Sequence, residues 1–422
     1  MLVKGDLLGI TFPPTLESLR VQGAAFLTQA FHASGVLAKD NAVASATDEG
    51  EFFGGGMGRK LLLNVEYQKP VAGLPKKLFV KFPRDFGDPL RDLFAPLMEP
   101  EARFALLSRR PGFPITVPTC FFAEFDASTQ SGILITERIR YGQDGIEPAR
   151  EKCMDYRFKD PLPYYTALAN AMAKLAGHHK AGRLGPDVDV QFPLRPLERM
   201  IPYELADLRS KMAALHAFAQ EVPHLFPDGL GTRANLDTFA QEAEFALNHE
   251  PALLAHLNAQ RDQIAFCHLN TNVDNAWFWT GADGELQVGL LDWGGVGQMH
   301  LGSAFYGLIC SAETDFLNAH RQTLIECVAR EYQRCGGPAL NVAALTRSVK
   351  LACGLVGLAW MMDAPALVAA SLPEYRTVES RLDPRLQNNF LARVQLQPLM
   401  VLLNEWRTHG IGAAVRQTVA GA

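Results

Sequence analysis

The residues of this chain best suited to chemistry gather in the segment 264–297, IAFCHLNTNVDNAWFWTGADGELQVGLLDWGGVG. An apolar run, IAFC, leads into a polar loop, HLNTNVDN; AWFW, a turn and a second apolar run, VGLLDWGG, follow. This pattern predicts two short strands flanking a loop. Asn275 closes the loop and Asp292 ends the second run, so a hairpin-like return brings an amide oxygen and a carboxylate together. Hard oxygen donors of this kind suit Mg²⁺ bridging nucleotide phosphates. Asn and Asp are also ordinary turn formers, and the pair alone does not decide between the two readings.

Two further features lie upstream. Gly54, Gly55, Gly56 and Gly58 cluster around Met57 at a turn between β-rich stretches. Such a cluster lets backbone N–H groups approach phosphates closely, and it equally makes a plain turn. Lys81 stands inside the apolar run LFVKFP, as an edge charge reaching solvent or as a cation held for phosphate. The dipeptide His178-His179 carries no metal reading, because adjacent side chains on a helix point apart.

In this order the motifs resemble the aminoglycoside phosphotransferase-like (choline and ecdysteroid kinase-like) small-molecule kinases. Their catalytic segment reads roughly H-G-D-x-x-x-x-N, followed by a hydrophobic strand ending in L-[IL]-D-[WF]. His268, Asn275 and the LLDW ending at Trp293 fall in register with it. The resemblance implies ATP or GTP with Mg²⁺ as cofactors and a small-molecule hydroxyl as acceptor. It implies that the glycine loop (Gly54, Gly55, Gly56, Gly58) and Lys81 meet the phosphates, and that Glu101, or its neighbour Glu99, holds Lys81. It further implies a hinge at 137–141, where Glu137 and its neighbours offer backbone groups to the adenine edge, and metal ligation by Asn275 and Asp292.

The departures from that pattern are as informative. The family's catalytic Asp falls on Asn270 and its Gly on Leu269, and the Asp that braces the loop from a following helix is replaced near Ser303. A neutral amide accepts no proton at pH 7, and a missing general base typically costs ~10²–10⁴-fold. Asp274 is a candidate substitute, although it adjoins Asn275 and so faces away from it; His268 is another, a residue usually structural in this fold. Two classes therefore stand: a phosphotransferase, slow for want of its base, and a degenerate pseudokinase that binds nucleotide or ligand without transfer.

The elements that must position these residues follow from periodicity and punctuation. At 422 residues the chain exceeds one ordinary core. An amphipathic helix is expected over 15–34, three antiparallel strands from 41 to 83, and a hairpin from PITVPTCFFAEFD to ILITERI. After 160 the pattern turns helical, over 163–180, 197–222, 233–249, 304–334, 342–362 and 386–409. With the resemblance this gives an α+β, two-lobed, protein-kinase-like fold, with a nucleotide-binding lobe at 1–138 and a helical lobe at 139–422.

Composition sets the remaining bounds. A formal net charge of −5 gives no electrostatic footprint for nucleic acid or an anionic membrane, so small-molecule partners are expected. The seven Cys form no C-x-x-C pair and read as reduced core thiols of a cytoplasmic protein. The N-terminal MLVKGDLLGITFPP lacks the apolar core of a signal peptide, and the apolar run 351–362 is too short to span a bilayer. Glu198, Glu204, Asp207, Glu242 and Glu244 lie where such kinases build a substrate pocket and would suit a cationic acceptor; a solvated helix face reads the same way. Oligomeric state leaves no mark on the sequence.

Overall fold

The computed structural model describes residues 2–52 and 58–421, arranged in two compact units. The first comprises Met1–Pro148, Asp187–Phe192 and Gly289–Val296; the second comprises Ala149–Pro186, Pro193–Val288 and Gly297–Ala422. The first unit thus runs past residue 138 and takes in the short segment carrying Asp292.

The first unit is built on a five-stranded antiparallel sheet. Its strands are β1 (Val43–Glu51), β2 (Gly58–Tyr67), β3 (Lys77–Pro83), β4 (Cys120–Asp126) and β5 (Ser131–Glu137), in the order β1-β2-β3-β5-β4. Side chains alternate between faces with period two. Leu61, Leu63, Val65, Leu78, Val80, Ile133 and Ile135 therefore share one face, which α1 (Leu16–Ala33) covers with Leu19, Phe26, Leu27 and Phe31. Helix α1 starts at a capping box between Thr15 and Ser18, where the sequence expects a start after Pro13-Pro14. The opposite face meets α2 (Met98–Leu107), whose Met98, Ala102 and Ala105 pack against Ala123, Phe125 and Leu134.

The second unit is mainly helical, as expected. Its principal helices are α3 (Leu162–Lys180), α4 (Leu205–Glu221), α5 (Arg233–Asn248), α6 (Glu250–Ala259), α7 (Leu301–Ile309), α8 (Thr314–Arg334), α9 (Val342–Met361), α10 (Ala364–Ser371), α11 (Phe390–His409) and α12 (Ile411–Ala420). By length and composition α9 is long and apolar enough to cross a membrane, yet 61% of that window is buried inside the protein. It serves as a core helix. All seven cysteines are free and buried.

Several expected boundaries move, each for a tertiary reason. The helix expected over 197–222 begins only at Leu205, because the buried Glu250 carboxylate accepts the N–H groups of Met200 (2.6 Å) and Ile201 (2.8 Å) and holds that stretch extended. The helix expected over 304–334 is two, α7 and α8. It breaks where Ser311 turns to Asn272 and Ala312 O accepts from Gln397 (2.6 Å). The one expected over 386–409 starts at Phe390, capped by Asn389. Helices α6, α10 and α12 were not expected. The segment 264–297 yields not two strands but four, counting one that runs just past its end: β6 (Ile264–His268), β7 (Ala276–Thr280), β8 (Leu286–Leu290) and β9 (Val296–His300), paired β6 with β9 and β7 with β8.

Candidate active site: a buried lysine between two carboxylates, and an asparagine loop

In the first unit, register puts Lys81 of β3 opposite Leu134 of β5 and opposite Lys60 of β2. All three therefore face α2, not the apolar core. Lys81 is 5% exposed, and its Nζ lies 2.7 Å from Glu101 of α2 and 2.6 Å from Asp292. Burial opposes a charge there, but the Asp292 and Glu101 carboxylates outweigh it and hold the ammonium above the ordinary lysine range. Glu99 takes a different partner, Arg103 at 2.8 Å.

Asp292 reaches Lys81 because the LLDW sequence anchors on either side of it. Leu290 N donates to Thr116 O (3.0 Å), and the Trp293 ring stacks on Phe104 of α2 with centroids 3.7 Å apart. Between these anchors Asp292 adopts φ 65°, a left-handed conformation that a short polar side chain tolerates. Its side chain is 31% exposed, against 6% for Lys81 and 5% for Glu101. The carboxylate thus lies between a buried cation and solvent. A hard oxygen donor beside a fixed ammonium is the donor set that a metal-bound polyphosphate requires, so the residues present fit that group.

Gly54, Gly55 and Gly56 lie outside the described residues. Gly58 is on β2, where a Cβ would stand 2.1 Å from Phe82 O; it permits close strand contact with β3. Glu137 ends β5, where its N–H donates to Thr119 O and its carboxylate accepts from Thr119 N (2.8 Å) and Oγ1 (2.9 Å).

The second unit holds the polar loop between β6 and β7. His268 is fully buried, and its Nδ1 accepts from Asn270 N at 2.9 Å. That bond orients the loop, and the buried ring is unsuited to act as the base. Asn270 Oδ1 accepts from Lys152 Nζ at 3.3 Å and also from Asn272 Nδ2. Both lone pairs of that oxygen are engaged. Asn275 donates its Nδ2 to Asn270 O (2.9 Å), which turns its own Oδ1 the other way. Asp274 is half-buried on the same turn.

The brace expected from Ser303 is not made: its buried hydroxyl has no hydrogen-bond partner among the described residues. Ser311 takes that part, donating to Asn272 Oδ1 at 2.6 Å. Helix α7 approaches so closely that a Cβ on Gly307 would stand 1.7 Å from Leu269 O. Sequence reasoning missed Lys60, Lys152, Ser311 and Asp155. Lys60 alone carried a signal, since in RKLLLNV it has the parity opposite to the core residues Leu61, Leu63 and Val65. Asp155 is buried, accepts from Tyr165 Oη, and is pushed up to about 8 by burial, with Glu313 and Asp274 adding to the shift.

Of the acidic residues considered for a cationic substrate, Glu198 is exposed and the other four are engaged elsewhere. Glu204 and Asp207 close the capping box of α4, Glu244 holds Arg209 at 2.9 Å, and Glu242 accepts from Trp406 and Arg416. Among the described residues no group of three or more His, Cys, Asp and Glu side chains is arranged to hold a metal.

No family model and no curated protein matches the chain. Solved structures do. An aminoglycoside phosphotransferase from Alicyclobacillus acidocaldarius is 12% identical with a TM-score of 0.40, covering 89% of this chain and 93% of its own. A choline kinase from Cryptosporidium parvum is 15% identical at 0.41, with 87% and 91% covered, and a Plasmodium vivax ethanolamine kinase is 12% identical at 0.42, with 84% of each covered. At these values the likeness by itself assigns neither activity nor substrate.

Proposed function

We propose that this protein is a Mg²⁺- and nucleotide-dependent phosphotransferase acting on a hydroxyl of a small molecule. The observation that carries the reading is the Lys81 ammonium buried between Glu101 and the half-open Asp292 carboxylate. A lysine serving only the fold has no need of a second carboxylate that also faces solvent, and burying such a group is costly. In this reading Lys81 neutralises phosphate charge, Glu101 fixes its position, and Asp292 is the charged metal ligand, with Asn275 contributing the neutral oxygen of the sequence motif. The resemblance assigns further nucleotide contacts to the glycine loop and to the hinge backbone at 137–141, of which the Glu137 N–H is already given to Thr119 O. Bound metal and nucleotide would supply the transferable phosphoryl group and offset its charge.

Asn270 orients the acceptor and takes no proton. Phosphoryl transfer passes through a loose transition state in which positioning and charge neutralisation provide most of the acceleration, so loss of the base slows the reaction without abolishing it. A second reading, nucleotide binding without transfer, is favoured by one observation: Asn270 Oδ1 is already saturated by Lys152 and Asn272. A thermal-shift screen with ATP and GTP, each with and without Mg²⁺, tests what the two readings share. Phosphate transfer to a panel of small hydroxyl compounds separates them. Absence of any Mg²⁺-dependent nucleotide shift overturns both.

A further inference from the structure

We propose that the acceptor is an acidic hydroxyl, of the phenol class, which reaches the site as its oxyanion and is met by the side-chain N–H of Asn270; the inference rests on the phosphotransferase reading above. The orientation of the Asn270 amide carries it. A lysine ammonium has three donors and no acceptor, so the amide atom 3.3 Å from Lys152 Nζ is the oxygen. Asn272 donates to the same oxygen, and its own orientation is set by Ser311, which donates to its Oδ1 at 2.6 Å. With the oxygen turned to these two donors, Nδ2 is the end that the half-buried Asn270 side chain keeps for a ligand. It has no hydrogen-bond partner among the described residues and is not one of their orphaned buried atoms.

The loop therefore presents a donor where a general base needs an acceptor. A neutral alcohol must lose its proton as the new bond forms, and an N–H group cannot take it. An oxyanion has no proton to lose, and a charge-assisted N–H···O⁻ bond is roughly twice as strong as a neutral one. Two other candidate bases are closed off: His268 is fully buried with Nδ1 accepting from Asn270 N, and Asp155 is 4% exposed and holds Tyr165. Asp274 lies on the same turn, and a base there would leave its own mark on the pH profile. Hydroxyls differ widely in acidity: a phenol such as the tyrosine side chain ionises at about 10, roughly six units below water, and electron-withdrawing ring substituents lower it further. In the step proposed, the phenol has already released its proton to solvent. A lone pair of the phenolate oxygen forms the bond to the γ-phosphorus while the bond from that phosphorus to its bridging oxygen breaks, and the electron pair leaves with the nucleoside diphosphate. The products are an aryl phosphate and the diphosphate.

The test measures phosphate transfer from ATP with Mg²⁺ by wild type, Asn270→Asp and Asn270→Ala, to a series of ring-substituted phenols of graded acidity and to benzyl alcohol. For wild type, kcat/KM should favour the phenols, and the pH at which it levels off should move with the ionisation of each phenol. Asn270→Asp should lose about tenfold or more on phenols, through repulsion of the oxyanion, and gain on benzyl alcohol; Asn270→Ala should lose on phenols without that gain.

A wild type that uses benzyl alcohol as readily as phenols overturns the inference and leaves the phosphotransferase reading standing. So does a pH profile that stays fixed while the phenol varies, which marks a base in the protein. Transfer to no acceptor, with Mg²⁺-dependent ATP binding intact by thermal shift, overturns the inference together with the transfer reading and leaves nucleotide binding standing. A wild type that binds no nucleotide overturns all three. If a variant does not fold, the wild-type series decides alone, since the movement of the profile with the phenol needs no variant.

Discussion

At the scale of single residues, Asp292 and Asn270 divide the proposed work, and the contacts of each state how. Asp292 is the half-exposed carboxylate at Lys81, so Asp292→Ala should abolish Mg²⁺-dependent stabilisation by ATP, measured by thermal shift. Asn270→Ala should leave that stabilisation largely intact; equal loss in both variants would show that the two do not act separately. Asn270→Asp tests the missing base. The new carboxylate would meet the Lys152 ammonium, which now lies 3.3 Å from the amide oxygen and would hold its pKa below the usual carboxylate value. Turnover should rise by up to ~10²–10⁴-fold, and more in Asn270→Asp with Lys152→Met, where the base is not weakened by its neighbour. A wild type faster than both variants would mean that Asn270 serves another chemistry.

At the scale of elements, the loop 268–275 is shaped less by its own sequence than by α7, which presses against it. Gly307 is the contact point, and a methyl group there would stand 1.7 Å from the Leu269 carbonyl oxygen. Gly307→Ala therefore has to displace the helix or the loop, at a cost on the order of 2–4 kcal/mol. Chemical denaturation should show that loss, and a variant as stable as wild type would mean that the two elements are not tightly packed. In the first unit the comparable device is the Trp293–Phe104 stack, which ties the LLDW segment to the helix bearing Glu101. Phe104→Ala should cost about 3–5 kcal/mol and weaken nucleotide binding, because Asp292 loses its anchor.

At the scale of the whole molecule, the buried Asp155 makes stability depend on pH in a direction that can be worked out. Its folded pKa of about 8 stands above the ordinary 3.8, so the folded state holds a proton that the unfolded chain has released. The contribution is fully present below pH 4, declines as pH rises, and is lost by about pH 8. Asp155→Asn keeps the shape and the Tyr165 contact without the charge. It should be more stable than wild type near pH 8, by an amount on the order of a few kcal/mol, with a flatter pH profile in urea denaturation. Identical profiles for the two proteins would show that Asp155 is charged in the folded state. Nucleotide acts on the same scale: ATP and Mg²⁺ at a hundredfold excess over Kd should add about 2.7 kcal/mol to stability.

Much of this was legible in the sequence because it was local. Alternating apolar residues specify a strand wherever it pairs, so the three strands from Val43 to Pro83 and the hairpin ending at Glu137 follow from pattern alone. So does the α+β character, with strands early and helices late. The resemblance, carried by Lys81, Glu101 and LLDW in order along the chain, named residues that the first unit brings together. What pattern could not supply was any outcome set by a partner far along the chain. Glu250 unwinds 200–201, Ser311 rather than Ser303 braces the loop, and Lys152 occupies the oxygen of Asn270 from more than a hundred positions away. These contacts depend on which helix faces which loop. Local propensities of a few tenths of a kcal/mol are readily overridden once a buried carboxylate or amide must find its hydrogen bonds, so only the tertiary structure decides them.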